Sequence, residues 1–142
     1  MTIALNIGSR LPAYCTSMGR VLLSNLPEQD LDHVLESIEL KQLTARTVTS
    51  EPLLRKILAD VRAGGWALVD QELEEGVRSM AAPIRSGGNV IAAMNISAHA
   101  GRTSLERIRS FLPELLRTAE RISGELGFAA SAVPGGRGTA GT

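Results

Sequence analysis

The spacing of apolar residues divides the chain into a run of short elements. Ile3, Leu5 and Ile7 fall on alternate positions, which predicts a strand over 3–7 ended by Gly8 and Pro12. Thr16 or Ser17 can cap a helix that carries Met18, Val21 and Leu22. Asn25 to Pro27 closes that helix. A second one starts at Pro27, with acids in its first turn and Leu31, Val34, Leu35 and Ile38 on its inner face. Residues 41–50 are polar and rich in Thr, and read as a loop. Ser50-Glu51-Pro52 opens a third helix with an apolar stripe of Leu53, Leu54, Ile57, Leu58 and Val61, stopped by Gly64-Gly65.

The period then changes. Trp66 to Val69, Val77 to Arg85 and Val90 to His99 read as three strands, the last two joined by Ser86-Gly87-Gly88-Asn89, whose glycines allow the positive φ of a tight hairpin. Pro83 lacks a ladder donor, so its strand should be an edge or be bulged there. A last helix begins near Thr103, where Thr103 and Glu106 have capping-box spacing. Its face is Leu105, Ile108, Leu112, Leu115, Ala119, Ile122 and Leu126, with a kink or break expected at Pro113 and an end at Gly127. Residues 128–142 are small and polar and are expected to be a disordered tail. Strand, three helices, three strands and a helix make an α+β domain with a mostly antiparallel sheet.

Composition narrows the function. At 142 residues the chain is one domain, and 44% apolar residues suffice for a core. The net charge is zero, and the 15 basic residues are scattered, so direct DNA binding by this segment is not expected. No apolar run reaches spanning length, so no membrane partner is expected. Cys15 is the sole cysteine, which excludes an internal disulfide and fits a reducing cytoplasm. His33 and His99 are isolated and form no metal-ligand spacing. The sequence holds no phosphate loop, nucleophile elbow or dinucleotide fingerprint, and implies no cofactor.

The strand over 90–99 carries the most specific signal. Val90, Ala92, Met94 and Ile96 share one wholly apolar face; Ile91, Ala93, Asn95, Ser97 and His99 share the other. That second face fits two readings: Asn95 and Ser97 meet solvent, or they hydrogen-bond a small polar ligand in a covered pocket. Arg78, Arg85, Arg10 and Arg20 are each able to hold a carboxylate, or to serve as ion-pair partners. Asp70, Glu72, Glu74 and Glu75 read as a solvated loop. Cys15 stands at a helix start, where the dipole could lower its pKa, so a thiol redox enzyme is a rival reading. A bare oligomerisation module is another.

Three segments taken together point to a family. They are residues 8–23, which include Pro12-Ala-Tyr-Cys-Thr-Ser-Met-Gly19; residues 65–85, which include Asp70-Gln-Glu-Leu-Glu-Glu75; and Asn89-Val-Ile-Ala-Ala-Met-Asn-Ile-Ser97. In order and spacing they resemble the C-terminal effector-binding domain of IclR-type transcription regulators, in particular the PcaR/PobR branch, which controls aromatic-acid catabolism through the β-ketoadipate pathway. The resemblance covers residues 3–127. It implies a GAF-like domain with a curved antiparallel sheet, helices on both sides and a ligand pocket against one face. It implies pocket residues Ser17, Met18 and Gly19 at the first helix, Asp70 and Ser79, then Asn95 and Ser97, with the helix-start amides binding an anion. It also implies a small aromatic or dicarboxylic acid as effector, self-association into dimers or tetramers, and contact with DNA only through an N-terminal winged helix-turn-helix that this sequence does not contain.

Overall fold

The computed structural model describes the backbone of residues 5–132 and the side chains of residues 5–127. Eight elements follow one another: α1 (Ser17–Ser24), α2 (Glu28–Ser37), α3 (Glu51–Gly64), β1 (Ala67–Asp70), β2 (Val77–Ser86), β3 (Asn89–His99), α4 (Leu105–Arg109) and α5 (Leu112–Ala132). The expected first strand is not formed over its described part: residues 5 and 6 are irregular, and Ile7-Gly8 is a turn. Ile3 lies outside the described residues.

Local signals decide most boundaries. Thr16 caps α1 by accepting from the Gly19 amide, and Ser50 caps α3 by accepting from that of Leu53. Gly65 ends α3 at φ 79°, a conformation that costs glycine nothing. The final helix departs from expectation at both ends. Its cap is Ser104 rather than Thr103, accepting from the Arg107 amide. It breaks after Arg109 and restarts at Leu112, placing Pro113 in the first turn of α5, where a missing N–H costs no bond. It then passes Gly127 and continues to Ala132. Of the expected tail, residues 133–142 lie outside the described residues.

The sheet is antiparallel in the order β1-β2-β3. Pro83 sits beyond the end of β1, which reaches only Ala81, so β2 is locally an edge there and the missing donor breaks no pair. Helices cover both faces. Met80 and Ala82 of β2, with Met94, Ile96 and Ala98 of β3, pack on Ile108, Leu115 and Ala119 of α4 and α5. Ala67 and Ala81 pack on Val21 of α1 and Val61 of α3. A third cluster joins Tyr14, Cys15 and Leu23 to Leu35, Leu54 and Leu58. Leu53, expected on the inner stripe of α3, is instead 47% exposed.

The wholly apolar face expected for β3 holds only from Ala92 onward. The register shifts between Ile84 and Arg85, so that Ile84 pairs with Ala92 while Arg85 pairs with Val90. The extra residue, Ile91, is thrown outward, and Val90 joins Ala93 in the α1/α3 cluster.

Candidate functional site

The face of the sheet that carries α1 holds a cavity of about 390 Å³. Register explains which side chains reach it. Ser79 pairs with Val69 on one side and Ser97 on the other, and Ala81 pairs with Asn95. Directly paired residues share a face, so Val69, Ser79, Ser97 and Asn95 project together. Above them lies the start of α1. Ser17, 1% exposed, donates from its hydroxyl to Ser79 Oγ at 2.8 Å. Met18, Cys15, Leu11, Leu73 and Val77 supply apolar wall; Glu74, Glu75, Gly76 and His99 complete one end. Asn95 Nδ2 donates to Ser97 Oγ at 3.2 Å, which orients the amide.

Five of the seven residues expected at the site border this cavity: Ser17, Met18, Ser79, Asn95 and Ser97. Gly19 and Asp70 do not. The Gly19 amide is already taken by the Thr16 hydroxyl at 3.2 Å. A Cβ at Gly19 would lie 2.5 Å from Thr16 Oγ1 and closer still to the Ala13 backbone, so this glycine allows the 12–16 loop to close onto the helix. The Ser17 and Met18 amides remain at the end of α1, where helix geometry offers them no intrahelical carbonyl. Asp70 follows Val69 and therefore points to the opposite face. It accepts from Arg78 Nε at 2.9 Å and faces Arg46 at 3.2 Å. Burial alone would raise its carboxyl, but hydrogen bonds from Arg78 and Gln71 and the charges of Arg78 and Arg46 outweigh it and hold the pKa below the ordinary carboxylate value.

The acidic segment is not a wholly solvated loop. Glu72 is 8% exposed and bound in bidentate fashion by Arg20, with NH1 to Oε2 at 2.7 Å and NH2 to Oε1 at 2.6 Å. Arg20 Nε also donates to the Tyr14 carbonyl, and Glu72 Oε1 accepts from the Val48 amide. Gln71 at φ 56° and Gly76 at φ 87° turn the chain at either end of this segment. Leu73, Glu74 and Glu75 are thereby carried to the cavity. Two of the candidate arginines are committed elsewhere: Arg20 to Glu72, and Arg78 to Asp70 and the Thr103 carbonyl. Neither Arg85 nor Arg10 borders the cavity.

Cys15 borders it but is 0% exposed, and burial pushes its thiol up to about 11, with the nearby Arg20 charge only partly opposing this. The helix dipole does not produce a thiolate, which removes the basis for a thiol enzyme. Alternation along β3 sets His99 on the pocket face, with Asn95 and Ser97. Its Nδ1 accepts from the Gly101 amide at 3.1 Å, which in the neutral ring puts the proton on Nε2. Among the described residues no group of His, Cys, Asp and Glu could hold a metal, and no helix is long and apolar enough to cross a membrane.

Comparison with known proteins places this geometry. The chain is 44% identical over 128 residues to the Pca regulon regulatory protein of Pseudomonas putida, a match covering 89% of this chain and 44% of that protein. A solved transcriptional regulator from Rhodococcus sp. RHA1 superposes with TM-score 0.87 at 50% identity, covering 91% of this chain and 54% of that one. The PobR inducer-binding domain from Acinetobacter, solved as a double mutant with 3-hydroxybenzoic acid, superposes with TM-score 0.76 at 35% identity, covering 84% of this chain and 67% of that one. The chain thus spans about half the length of the whole regulators it matches. These relatives are transcription regulators rather than enzymes, and their effector domains share the GAF-like arrangement of helices around an antiparallel sheet. A family description, "Bacterial transcriptional regulator IclR C-terminal", matches residues 1–124, and the chain belongs to the IclR family as its C-terminal domain.

Proposed function

We propose that this domain senses a small carboxylic acid, of the aromatic or dicarboxylic kind met in aromatic catabolism, in the cavity between α1 and the sheet. The observation that carries the reading is the convergence of Ser17, Ser79, Asn95 and Ser97 with the start of α1 on one cavity of about 390 Å³. An open helix end and clustered hydroxyls suit an anionic headgroup, and the apolar wall suits a ring or a short methylene chain. Likeness to a Pca regulon regulator and to a domain solved with 3-hydroxybenzoic acid supports the same class.

In the whole protein the effector would shift the arrangement of a DNA-binding module elsewhere in the chain, so DNA is reached only through that module. Residues 3–127 form the sensing unit in this reading. The exposed apolar residues Leu53, Phe111 and Leu126 support a homo-oligomer, dimer or tetramer. The formed cavity favours sensing over a bare oligomerisation module. Calorimetric titration with protocatechuate, 4-hydroxybenzoate and β-ketoadipate tests the reading. Saturable heat from at least one is expected; no response to any of them overturns it.

A further inference from the structure

Leu73, Glu74 and Glu75 line two cavities at once. On one side is the cavity under α1. On the other is a second cavity of about 390 Å³, completed by Gln71 and by residues 43–46 of the loop between α2 and α3. Residues 73–75 are thus a thin wall. Leu73 packs on the cluster that contains Tyr14 and Cys15. With a cavity on each side, that contact alone is too little to fix the wall, because packing holds a segment only where atoms meet it closely.

Hydrogen bonds supply what packing does not, and they come from the turn over 44–47. Thr44 Oγ1 donates to the Gln71 carbonyl at 2.6 Å, and Thr47 Oγ1 donates to the Glu72 carbonyl at 2.6 Å. Both hydroxyls are themselves held. Thr47, which is buried, accepts from the amides of Leu43 and Thr44, and Thr44 accepts from that of Arg46. Each hydroxyl therefore accepts within its own turn and directs its one proton at the base of the wall. That base needs outside support. Gln71 stands at φ 56°, a left-handed conformation that side chains other than glycine seldom adopt. Its amide donates to the Val77 carbonyl and its Oε1 accepts from the Gly76 amide, which closes the segment on itself. Thr44 and Thr47 tie that closed segment to the rest of the fold.

We propose that Thr44 and Thr47 are positioning residues for the effector cavity. Acting through the Gln71 and Glu72 carbonyls, they hold residues 73–75 in place before the acid arrives. A preformed wall spares the ligand the cost of ordering it, so the two hydroxyls set affinity without touching the ligand. The second cavity is the space into which an unheld wall moves. The assignment rests on the acid-sensing function proposed above.

The test compares the 142-residue chain with its Thr44→Val, Thr47→Val, Thr44→Ser and Thr47→Ser variants. Valine keeps the branched shape and loses the hydroxyl; serine keeps the hydroxyl. Calorimetry uses whichever of protocatechuate, 4-hydroxybenzoate and β-ketoadipate gives saturable heat with the unmodified chain. Amide hydrogen exchange follows residues 71–76. Each valine variant should bind about tenfold more weakly, the equivalent of one hydrogen bond. Its free form should exchange faster at 71–76, and acid should restore the protection. In the unmodified chain the segment should be protected with or without acid. Both serine variants should match the unmodified chain. Ser104→Ala removes the cap of α4 on the other face of the sheet, and should lower stability while leaving affinity unchanged. If Thr47→Val does not fold, Thr44→Val decides alone. Valine variants that bind as tightly as the unmodified chain overturn the inference and leave acid sensing intact. So does weakened binding that comes with a uniform rise in exchange along the chain, or that Ser104→Ala matches. No heat from any of the three acids overturns sensing and the inference together.

Discussion

Ser17 and Ser79, 62 positions apart, are joined by a 2.8 Å hydrogen bond between their hydroxyls. That bond fixes the start of α1 over the middle of β2, where Ser97 of β3 is the cross-strand partner of Ser79. It sets both the height of the helix above the sheet and the position of the amides at its end, so packing and the proposed binding share one contact.

Ser79→Ala should therefore act on both. Loss of the Ser17 partner should lower unfolding free energy by about 1 kcal/mol, the usual net value of one hydrogen bond. Acid affinity should fall as well, because Ser79 lies at the end of the cavity proposed to take the carboxylate. Denaturant unfolding and calorimetry on the same variant separate the effects. A stability loss with unchanged affinity would remove Ser79 from the binding surface and leave it a purely structural residue.

The Arg20–Glu72 pair is a buried, bidentate anchor of the loop that forms the cavity end. Its side chains are only 3% and 10% exposed. Arg20→Met alone strands a buried carboxylate and should cost about 3–5 kcal/mol. The double variant Arg20→Met with Glu72→Met should be less damaging than the sum of the single changes, since removing both charges removes both desolvation costs. A double-mutant cycle by chemical denaturation measures this. Additive effects would mean that the two charges stabilise the fold independently of each other.

Features written over a few residues were legible in the sequence, and those requiring a distant partner were not. Thr16, Ser50 and Gly65 act on their own helix ends, so the caps and stops could be read directly. The Asn95–Ser97 face followed from alternation. Alternation alone also separates Asp70 from Ser79: Asp70 pairs with Arg78, and a one-residue step reverses the face. The family resemblance implies one pocket for both, which the strand parity does not allow. The bulge at Ile84/Arg85 left no mark in the hydrophobic pattern, because Val90 and Ile91 are apolar on either parity. Glu72 looked solvated because its partner, Arg20, is 52 positions away on another element. Glu74 and Glu75 reach the cavity because Gln71 and Gly76, at φ 56° and 87°, turn the chain at either end of their segment, a placement that no local pattern announces.

Asp70 gives the fold an acid-side dependence. Its carboxyl is held below the ordinary value of 3.8 by Arg78, Gln71 and Arg46, so the native state binds fewer protons than the unfolded state in acid. The resulting stabilisation is complete above pH 3.8 and is lost as pH falls through the lower native value. Asp70→Asn should be less stable near neutrality and should flatten the stability-versus-pH curve in that acid range. Urea midpoints measured from pH 6 down to the acid transition check this; a slope unchanged by the substitution would show that the ion pair contributes nothing to folding.

Cys15 gives the opposite dependence at high pH. Burial raises its thiol from an ordinary 9.0 to about 11, so the native state holds a proton that the unfolded chain releases earlier. The contribution is fully present below pH 9 and declines as pH rises toward 11, the reverse of the Asp70 case. Two observations should follow. Below pH 9 the native thiol should resist alkylation and react freely once the chain is unfolded, because the buried group is neither ionised nor accessible. Cys15→Ala should remove part of the alkaline decline in stability, even though the cavity it leaves lowers stability at neutral pH. Rapid modification of the folded protein at pH 8 would contradict both the burial and the raised pKa. It would also return Cys15 to consideration as a reactive group in the cavity it borders.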